Sequence, residues 1–144
     1  METDVHAAID EELRRTRQRY TAGRRELVGA LLAAGRPLTI AEMLAGDAPQ
    51  SQSSLYRNLA VLERCGVIHR LASPDDVARF ELSEDLSHHH HHLACASCGR
   101  LDDVVLPVEL ERALAAAAEA AGRDHGFTVR AHRLELVGTC AECA

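Results

Sequence analysis

Two Cys-x-x-Cys pairs, Cys95 with Cys98 and Cys140 with Cys143, are the strongest chemical pattern in the sequence. Each pair can place two thiolates on one ion, and together the four can complete a tetrahedron around Zn²⁺. Such a site has no open coordination position, so it is structural rather than catalytic. The 41 residues between the pairs exceed the gap of a compact zinc ribbon, so the domain fold must bring the pairs together. Two local disulfides or a redox pair are the alternatives, but a second pair has no use in a redox motif.

Five consecutive histidines, residues 88–92, lie just before the first cysteine pair. If this run is extended, alternate side chains face opposite sides of the chain. His90 and His92 then point one way and His89 and His91 the other, which predicts two imidazole sites rather than one. Residues that could complete these sites are Glu81, Glu84, Asp85, Asp102, Asp103, Glu109, Glu111, His69 and His132. Mixed nitrogen and oxygen ligands suit Zn²⁺, Fe²⁺, Mn²⁺ or Ni²⁺, and spacing alone does not choose among these ions. A polar linker with incidental histidines is the alternative.

A third pattern is an amphipathic helix over residues 51–62. Leucines at spacings of four and three residues form its apolar stripe and predict a buried face. Polar side chains near its N-terminus fall on the other faces, where a recognition helix contacts bases and phosphates. These side chains are Ser53, Ser54, Tyr56 and Arg57. An ordinary amphipathic helix would have the same pattern.

The elements around this helix are ordered as in a winged helix-turn-helix domain. Periodic apolar residues predict helical structure over 5–33, and Thr39 with Glu42 forms a capping box that starts a short helix ending near Leu44. We expect a turn over 46–49, a helix ending near Cys65, and two strands within 67–82 around a turn at 73–76. The first half of the chain is therefore predicted to be a winged helix.

The second half is predicted to fold as a β-α-β unit. Strand-like segments lie within 93–105 and 127–137, and an Ala- and Leu-rich helix is expected from Val108 to Ala121, ended by Gly122. The fold class is therefore α+β. We expect a winged-helix domain over 1–84, a hinge over 85–87 and a metal-binding domain over 88–144.

Composition and charge limit the classes of function. The chain has 144 residues, 47% hydrophobic and 26% charged, so it can bury a core. No apolar run reaches the length that spans a membrane, and the acidic N-terminus argues against a secretory signal, so we expect a cytoplasmic protein. The formal charge is −6, and this excess lies in residues 81–144. A general polyanion binder is thereby excluded, and any contact with nucleic acid must come from a local patch in the neutral first half.

Taken together and in this order, the motifs resemble the ferric uptake regulator family over about residues 10–143. The resemblance rests on the segment 53–59, the His-rich stretch through Cys98-Gly99, the terminal cysteine pair, and Tyr20-Thr21-Ala22-Gly23-Arg24. It implies a homodimeric, metal-activated repressor that binds a double-stranded DNA operator. It also implies an N-terminal winged helix and a C-terminal α/β dimerisation domain, with no small-molecule substrate and no membrane partner.

The resemblance also implies roles for individual residues. The structural zinc would be held by Cys95, Cys98, Cys140 and Cys143. The regulatory metal, Zn²⁺ or Fe²⁺, would be held by His69, Glu81, His90, His92 and Asp103. A second site in the dimerisation domain would use His89, His91, His132 and Glu109, with Glu111 as the alternative to Glu109. The DNA contacts would come from Ser53, Ser54, Tyr56, Arg57 and Arg24.

Two departures from the family pattern bear on the regulatory metal. Pro37 stands where iron- and peroxide-responsive members place a histidine, and Ser83 stands where zinc-responsive members place a cysteine. Without a histidine at position 37, His69 becomes the link between the domains, which favours zinc sensing. An iron-, manganese- or peroxide-responsive member is the alternative, because the thiolate is also missing. A metal buffer without DNA binding is the alternative from another class; an enzyme is not expected, because nothing predicts an open pocket with a general base.

Overall fold

The computed structural model describes residues 2–46 and 50–144. Its helices are α1 (Glu2–Arg15), α2 (Ala22–Ala34), α3 (Ile40–Leu44), α4 (Gln52–Arg64) and α5 (Val108–His125). Its strands are β1 (Leu38–Thr39), β2 (Ile68–Leu71), β3 (Arg79–Leu82), β4 (His91–Cys95), β5 (Leu101–Val104) and β6 (Glu135–Gly138), and a short 3-10 helix spans Glu84–Leu86. The mixture of helices and sheets confirms the predicted α+β class.

The helical segment expected over 5–33 is two helices. Helix α1 ends at Arg15, and Arg17 has a positive φ of 58°, which turns the chain out of the helix. Helix α2 starts afresh after Thr21, whose hydroxyl oxygen accepts a hydrogen bond from the Arg24 N–H. Apolar periodicity continues across the break because both helices bury one face in the same core, so the pattern alone does not show the turn.

The predicted starts of α3 and α4 are confirmed. Thr39 and Glu42 form both hydrogen bonds of a capping box, and Ser51 caps α4 by accepting from the Ser54 N–H. The turn expected over 46–49 falls largely on residues 47–49, outside the described residues. The leucine stripe of α4 is buried, in a core shared with α1, α2 and the first sheet. Its members include Ile9, Leu13, Val28, Leu55, Leu59, Leu62, Ile68 and Phe80.

The first sheet has the strand order β1-β3-β2, and all its pairings are antiparallel. Strand β1 is not predictable from the sequence, because two residues are too short to show a period. Strands β2 and β3 form the predicted hairpin, with His69 directly opposite Glu81. Four antiparallel residue pairs, from Ile68 with Leu82 to Leu71 with Arg79, fix the position of Glu81 in this sheet.

The second sheet has the order β5-β4-β6, with β4 antiparallel to β5 and parallel to β6. The parallel pair is joined through α5, which confirms the predicted β-α-β unit. Helix α5 runs past Gly122 to His125 and is capped by Gly126, which has a positive φ of 74°. A Cβ on buried Gly122 would lie 2.6 Å from the Phe127 carbonyl oxygen, so this glycine permits the close return of the chain and does not end the helix. The strand expected over 127–137 forms only from Glu135, where pairing with β4 begins.

The 3-10 helix lies where the hinge is expected. Leu86 in this short helix packs against the core of the first half. The backbone then passes through Ser87 and the first three histidines into β4. The division at residues 85–87 remains a proposal.

Candidate metal centres and DNA-contact surface

The four cysteines converge, although 41 residues separate the pairs in sequence. Cys95 ends β4, Cys98 lies in the turn after it, and Cys140 and Cys143 follow β6, which pairs with β4. All four sulfur atoms lie within 4.8 Å of one another, and the Sγ atoms of Cys98 and Cys140 are 3.8 Å apart. A tetrahedron with Zn–S bonds of about 2.3 Å has edges of about 3.8 Å, so the cluster fits Zn²⁺.

Backbone groups already favour thiolate at the centre of this cluster. The N–H groups of Cys140 and Cys98 point at the Cys95 sulfur from 3.4 and 3.5 Å. These hydrogen bonds lower the pKa of Cys95 to about 6. Hydrogen bonds with Cys140 and Cys98 raise the pKa of Cys143 to about 12, because neighbouring sulfurs compete for the remaining protons. A divalent cation would relieve that competition, because metal binding displaces thiol protons.

A second cluster joins the two halves of the chain. Glu81 comes from β3, His92 and Asp103 come from β4 and β5, and His90 directly precedes β4. The Nε2 atoms of His90 and His92 each lie 2.9 Å from Glu81 Oε2, and 3.7 Å from Asp103 Oδ1. Two imidazoles and two carboxylates therefore face one point between the two sheets. This set has the donor chemistry of a Zn²⁺, Fe²⁺ or Mn²⁺ site.

Hydrogen bonds set the charges in this second cluster. Burial would raise the pKa of Glu81, but hydrogen bonds from His92 and His90 outweigh burial and lower it. Burial would lower the pKa of His90, but hydrogen bonds to the His88 carbonyl and to Glu81 outweigh that effect and raise it. Burial raises the pKa of Asp103. Because the Nδ1 of His90 lies 2.9 Å from the His88 carbonyl oxygen, Nε2 is the nitrogen left to bind a metal.

The third cluster lies on the other side of β4. His91 Nε2 is 2.8 Å from one carboxylate oxygen of Glu111, and His132 Nε2 is 3.1 Å from the other. The Nε2 of His89 also approaches Glu111, at 3.3 Å. Partial burial would raise the pKa of Glu111, but hydrogen bonding and attraction from His91 lower it. The alternation of the histidine run therefore produces two separate groups, one on each side of the strand.

The outer face of α4 carries the side chains expected to contact DNA. Tyr56 is 49% exposed, and Ser53 and Arg57 are exposed as well. The Arg57 guanidinium donates to the Ser54 hydroxyl at 3.3 Å, which holds it near the helix N-terminus. Arg24 is held differently: its guanidinium donates to Asn58 of α4 and to the Arg19 carbonyl, so it braces α2 against α4.

Comparison with known proteins gives the family. The profile of the ferric uptake regulator family matches residues 14–137. The peroxide-responsive repressor PerR of Staphylococcus aureus (strain USA300) is 31% identical over 137 residues, which cover 91% of this chain and 86% of PerR. The chain belongs to the ferric uptake regulator family. It is therefore a metal-responsive transcriptional repressor, and members of this family are regulators rather than enzymes.

Solved structures of ferric uptake regulators share the fold. The Helicobacter pylori ferric uptake regulator, with three functional metal-binding sites, matches with a TM-score of 0.74 and 22% identity over 99% of this chain and 93% of that one. A zinc-bound manganese uptake regulator matches with a TM-score of 0.66 and 29% identity, over 92% of this chain and 98% of that one. The winged helix followed by a dimerisation domain is thus the architecture of this chain too.

Two residues expected in the metal sites lie elsewhere. His69 is exposed on β2 and is not among the four side chains that converge with Glu81. It lies opposite Glu81 in the β2–β3 pair, and the three ligand atoms that meet Glu81 all come from the second half of the chain. Glu109 is exposed outside the third cluster, and Glu111 takes its place. The two glutamates are two positions apart on α5, so they lie on opposite sides of that helix.

The sequence does not predict the positions of two side chains near the clusters. Glu84, one of the candidates to complete the imidazole sites, is not among the four side chains of the third cluster and lies 3.2 Å from the Nδ1 of His89 instead. Arg79 is buried, although its alternation with Phe80 suggests an exposed strand face. In the described ranges 2–46 and 50–144, no helix has both the length and the apolar character needed to cross a membrane.

Proposed function

We propose that the cluster of Glu81, His90, His92 and Asp103 is the regulatory metal site and switches DNA binding. The observation that supports this most strongly is the origin of the ligands: Glu81 belongs to the winged-helix sheet, and the other three belong to the second half of the chain. Four ligand atoms within 4.8 Å of one another can share one divalent cation. When they do, the angle between the two halves is fixed.

Electrostatics explain why this arrangement needs a cation. Glu81 and Asp103 lie close enough that each disfavours ionisation of the other, as the raised pKa of Asp103 reflects in part. A bound divalent cation supplies the positive charge that balances both carboxylates. Without it, the two carboxylates repel each other, which weakens the contact of Glu81 with the second half of the chain. The cation therefore favours the closed arrangement over open ones.

The closed arrangement would matter through the spacing of two recognition helices. We propose a homodimer formed through the second half, where α5 and β6 expose apolar side chains, among them Val108, Leu110, Leu136 and Val137. In a two-fold dimer, helices that enter successive major grooves of an operator must lie about 34 Å apart, or a multiple of this distance. A fixed interdomain angle sets that distance. If the cation binds the closed form roughly 10⁴-fold more tightly than the open form, the population of the closed form rises from 1% to 99%.

We propose Zn²⁺ for the thiolate cluster and either Zn²⁺ or Fe²⁺ for the regulatory cluster. The sequence argument for zinc in preference to iron rests on His69, which lies outside the regulatory cluster, so it does not separate the two ions. The two carboxylates are hard oxygen donors that also suit Fe²⁺ and Mn²⁺, and no thiolate is present in the set. The third cluster would hold a further ion in the dimerisation domain. A repressor of this kind would act in the cytoplasm.

The deciding experiment is substitution of both regulatory histidines. H90A/H92A should bind operator DNA equally weakly with and without metal, because the cation loses two of its four ligands. The wild type should bind much more tightly with metal, as measured by fluorescence anisotropy against free metal concentration. H125A is the matched control, because His125 lies at the end of α5 outside all three clusters.

Dimer mass and zinc retained after gentle chelation show whether the double variant is folded. A folded H90A/H92A dimer that keeps normal metal-dependent operator binding would overturn the assignment. Metal binding by the wild type without any sequence-specific DNA affinity would instead identify a metal buffer.

A further inference from the structure

The loop between β2 and β3 lies against the turn that follows Cys95. Gly99 in that turn is buried, and a Cβ placed on it would overlap the Asp75 carboxylate. The Arg79 guanidinium donates to the Cys98 carbonyl oxygen at 3.4 Å. The hairpin of the winged helix therefore touches the backbone of the thiolate cluster directly, at a place separate from the Glu81 cluster.

An ion pair within the hairpin shapes this contact. Arg79 donates to both carboxylate oxygens of Asp75, at 2.7 and 3.1 Å, and also to the Ser73 hydroxyl. The Arg79 side chain is only 7% exposed, and its Nε has no acceptor among the described residues. Hydrogen bonds from Arg79 and Ser73 hold the pKa of Asp75 well below its usual range. Such a bidentate pair is geometrically specific, so it fixes the position of the Asp75 side chain over Gly99.

The composition of the loop argues against a role on DNA. Its tip, Ser73-Pro74-Asp75-Asp76, carries two carboxylates and no basic residue. Phosphates would repel these carboxylates, because proteins bind the DNA backbone by neutralising its phosphates with Lys and Arg. The loop instead contacts the second half of its own chain, at Gly99.

We propose that Asp75 and Arg79 are positioning residues that dock the winged helix on the thiolate cluster. The docking contact consists of Asp75, Arg79, the Cys98 carbonyl and Gly99. Through it, the thiolate cluster contributes to the interdomain angle that the Glu81 cluster fixes, so this inference rests on the proposed function. Because such coupling is reciprocal, losing the docking contact should loosen both zinc retention by the cysteines and operator binding.

A double-variant cycle tests the contact itself. G99A should lower the operator affinity of the metal-loaded dimer by about tenfold, because the new methyl group displaces Asp75. D75A should also lower it, because Arg79 loses its partner. In D75A/G99A the clash is gone, so the loss should be clearly smaller than the product of the two single effects. Strain from the positive φ of Gly99 is present with and without Asp75 and cancels in the cycle.

A second readout does not depend on DNA. The rate at which zinc leaves the four cysteines, measured with a colorimetric chelator, should rise severalfold in D75N and stay unchanged in D76N. Both variants remove one charge from the same loop without changing side-chain size, and Asp76, which has a positive φ of 60°, tolerates asparagine. Fully multiplicative effects in the cycle, or equal zinc release from D75N and D76N, would overturn the proposal. If H90A/H92A contradicts the proposed switch, the zinc-release comparison still decides whether the docking contact exists.

Discussion

Single side chains in the two mixed clusters are oriented by partners that are not themselves ligands. His90 is held through Nδ1 by a backbone carbonyl, and His89 is held through Nδ1 by Glu84. A ligand whose second nitrogen is hydrogen-bonded presents a fixed tautomer to the metal. Glu84 follows the winged-helix sheet, so it also connects the third cluster to the first half of the chain.

At this scale we predict an effect of E84Q on the third cluster. Loss of the carboxylate that holds His89 through Nδ1 should weaken metal binding there by roughly 10- to 100-fold, as for other partners of ligating histidines. Competition with a chelating dye measures this affinity. E109Q is the control, because Glu109 lies on α5 outside the cluster. An unchanged affinity in E84Q, or an equal loss in E109Q, would contradict the assigned geometry.

Among the elements, helix α5 requires a glycine at position 122, so that the chain after the helix can turn back against it. Gly122 lies under the chain that turns back at Phe127, and the Phe127 N–H donates to the Gly122 carbonyl at 2.8 Å. G122A should destabilise the fold by about 1–3 kcal/mol, because the methyl group would overlap backbone atoms. G29A is the control: nothing lies within 4 Å of its added Cβ, so it should stabilise helix α2 by about 0.5–1 kcal/mol. Chemical denaturation of both variants measures the sign of each change in the free energy of unfolding. An unchanged stability in G122A would contradict the close approach of Phe127 to Gly122.

Helix α4 provides the test of the surface that contacts DNA. Arg57 is exposed near its N-terminus and contacts none of the three clusters. R57A should weaken operator binding by about 1–3 kcal/mol if it contacts a base, and should leave metal affinity unchanged. R64A, at the exposed far end of the same helix, should have the smaller effect on DNA binding. Equal losses in the two variants would mean that the N-terminal end of α4 is not the recognition surface.

For the whole molecule, the three clusters should differ in how firmly they hold metal. All four thiolates come from the second half of the chain, whereas the Glu81 cluster takes its ligands from both halves. We therefore predict one zinc per chain that resists gentle chelation, plus one or two exchangeable ions. Elemental analysis of natively purified protein, before and after chelation, measures this directly. Absence of retained zinc, with the four cysteines oxidised, would contradict a structural zinc site at the thiolate cluster.

Patterns confined to a few neighbouring residues are readable from the amino-acid sequence by itself. The capping box at Thr39, the leucine stripe of α4 and the hairpin are confirmed, because hydrogen bonds and periodicity within one element decide them. The family is likewise evident from motifs that keep their order along the chain. The alternating histidines predict two groups, since a strand must send neighbouring side chains to opposite faces.

Contacts between distant segments are decided only in the folded chain. Whether Glu109 or Glu111 completes the third cluster depends on how α5 is rotated relative to β4, which no local pattern specifies. His69 lies opposite Glu81 in the hairpin, yet the approach of the second sheet provides the other ligands. Gly122 resembles a helix end until the returning chain is placed over it. In each case the outcome depends on the packing of segments far apart in sequence, and only their relative positions in three dimensions determine which side chains meet.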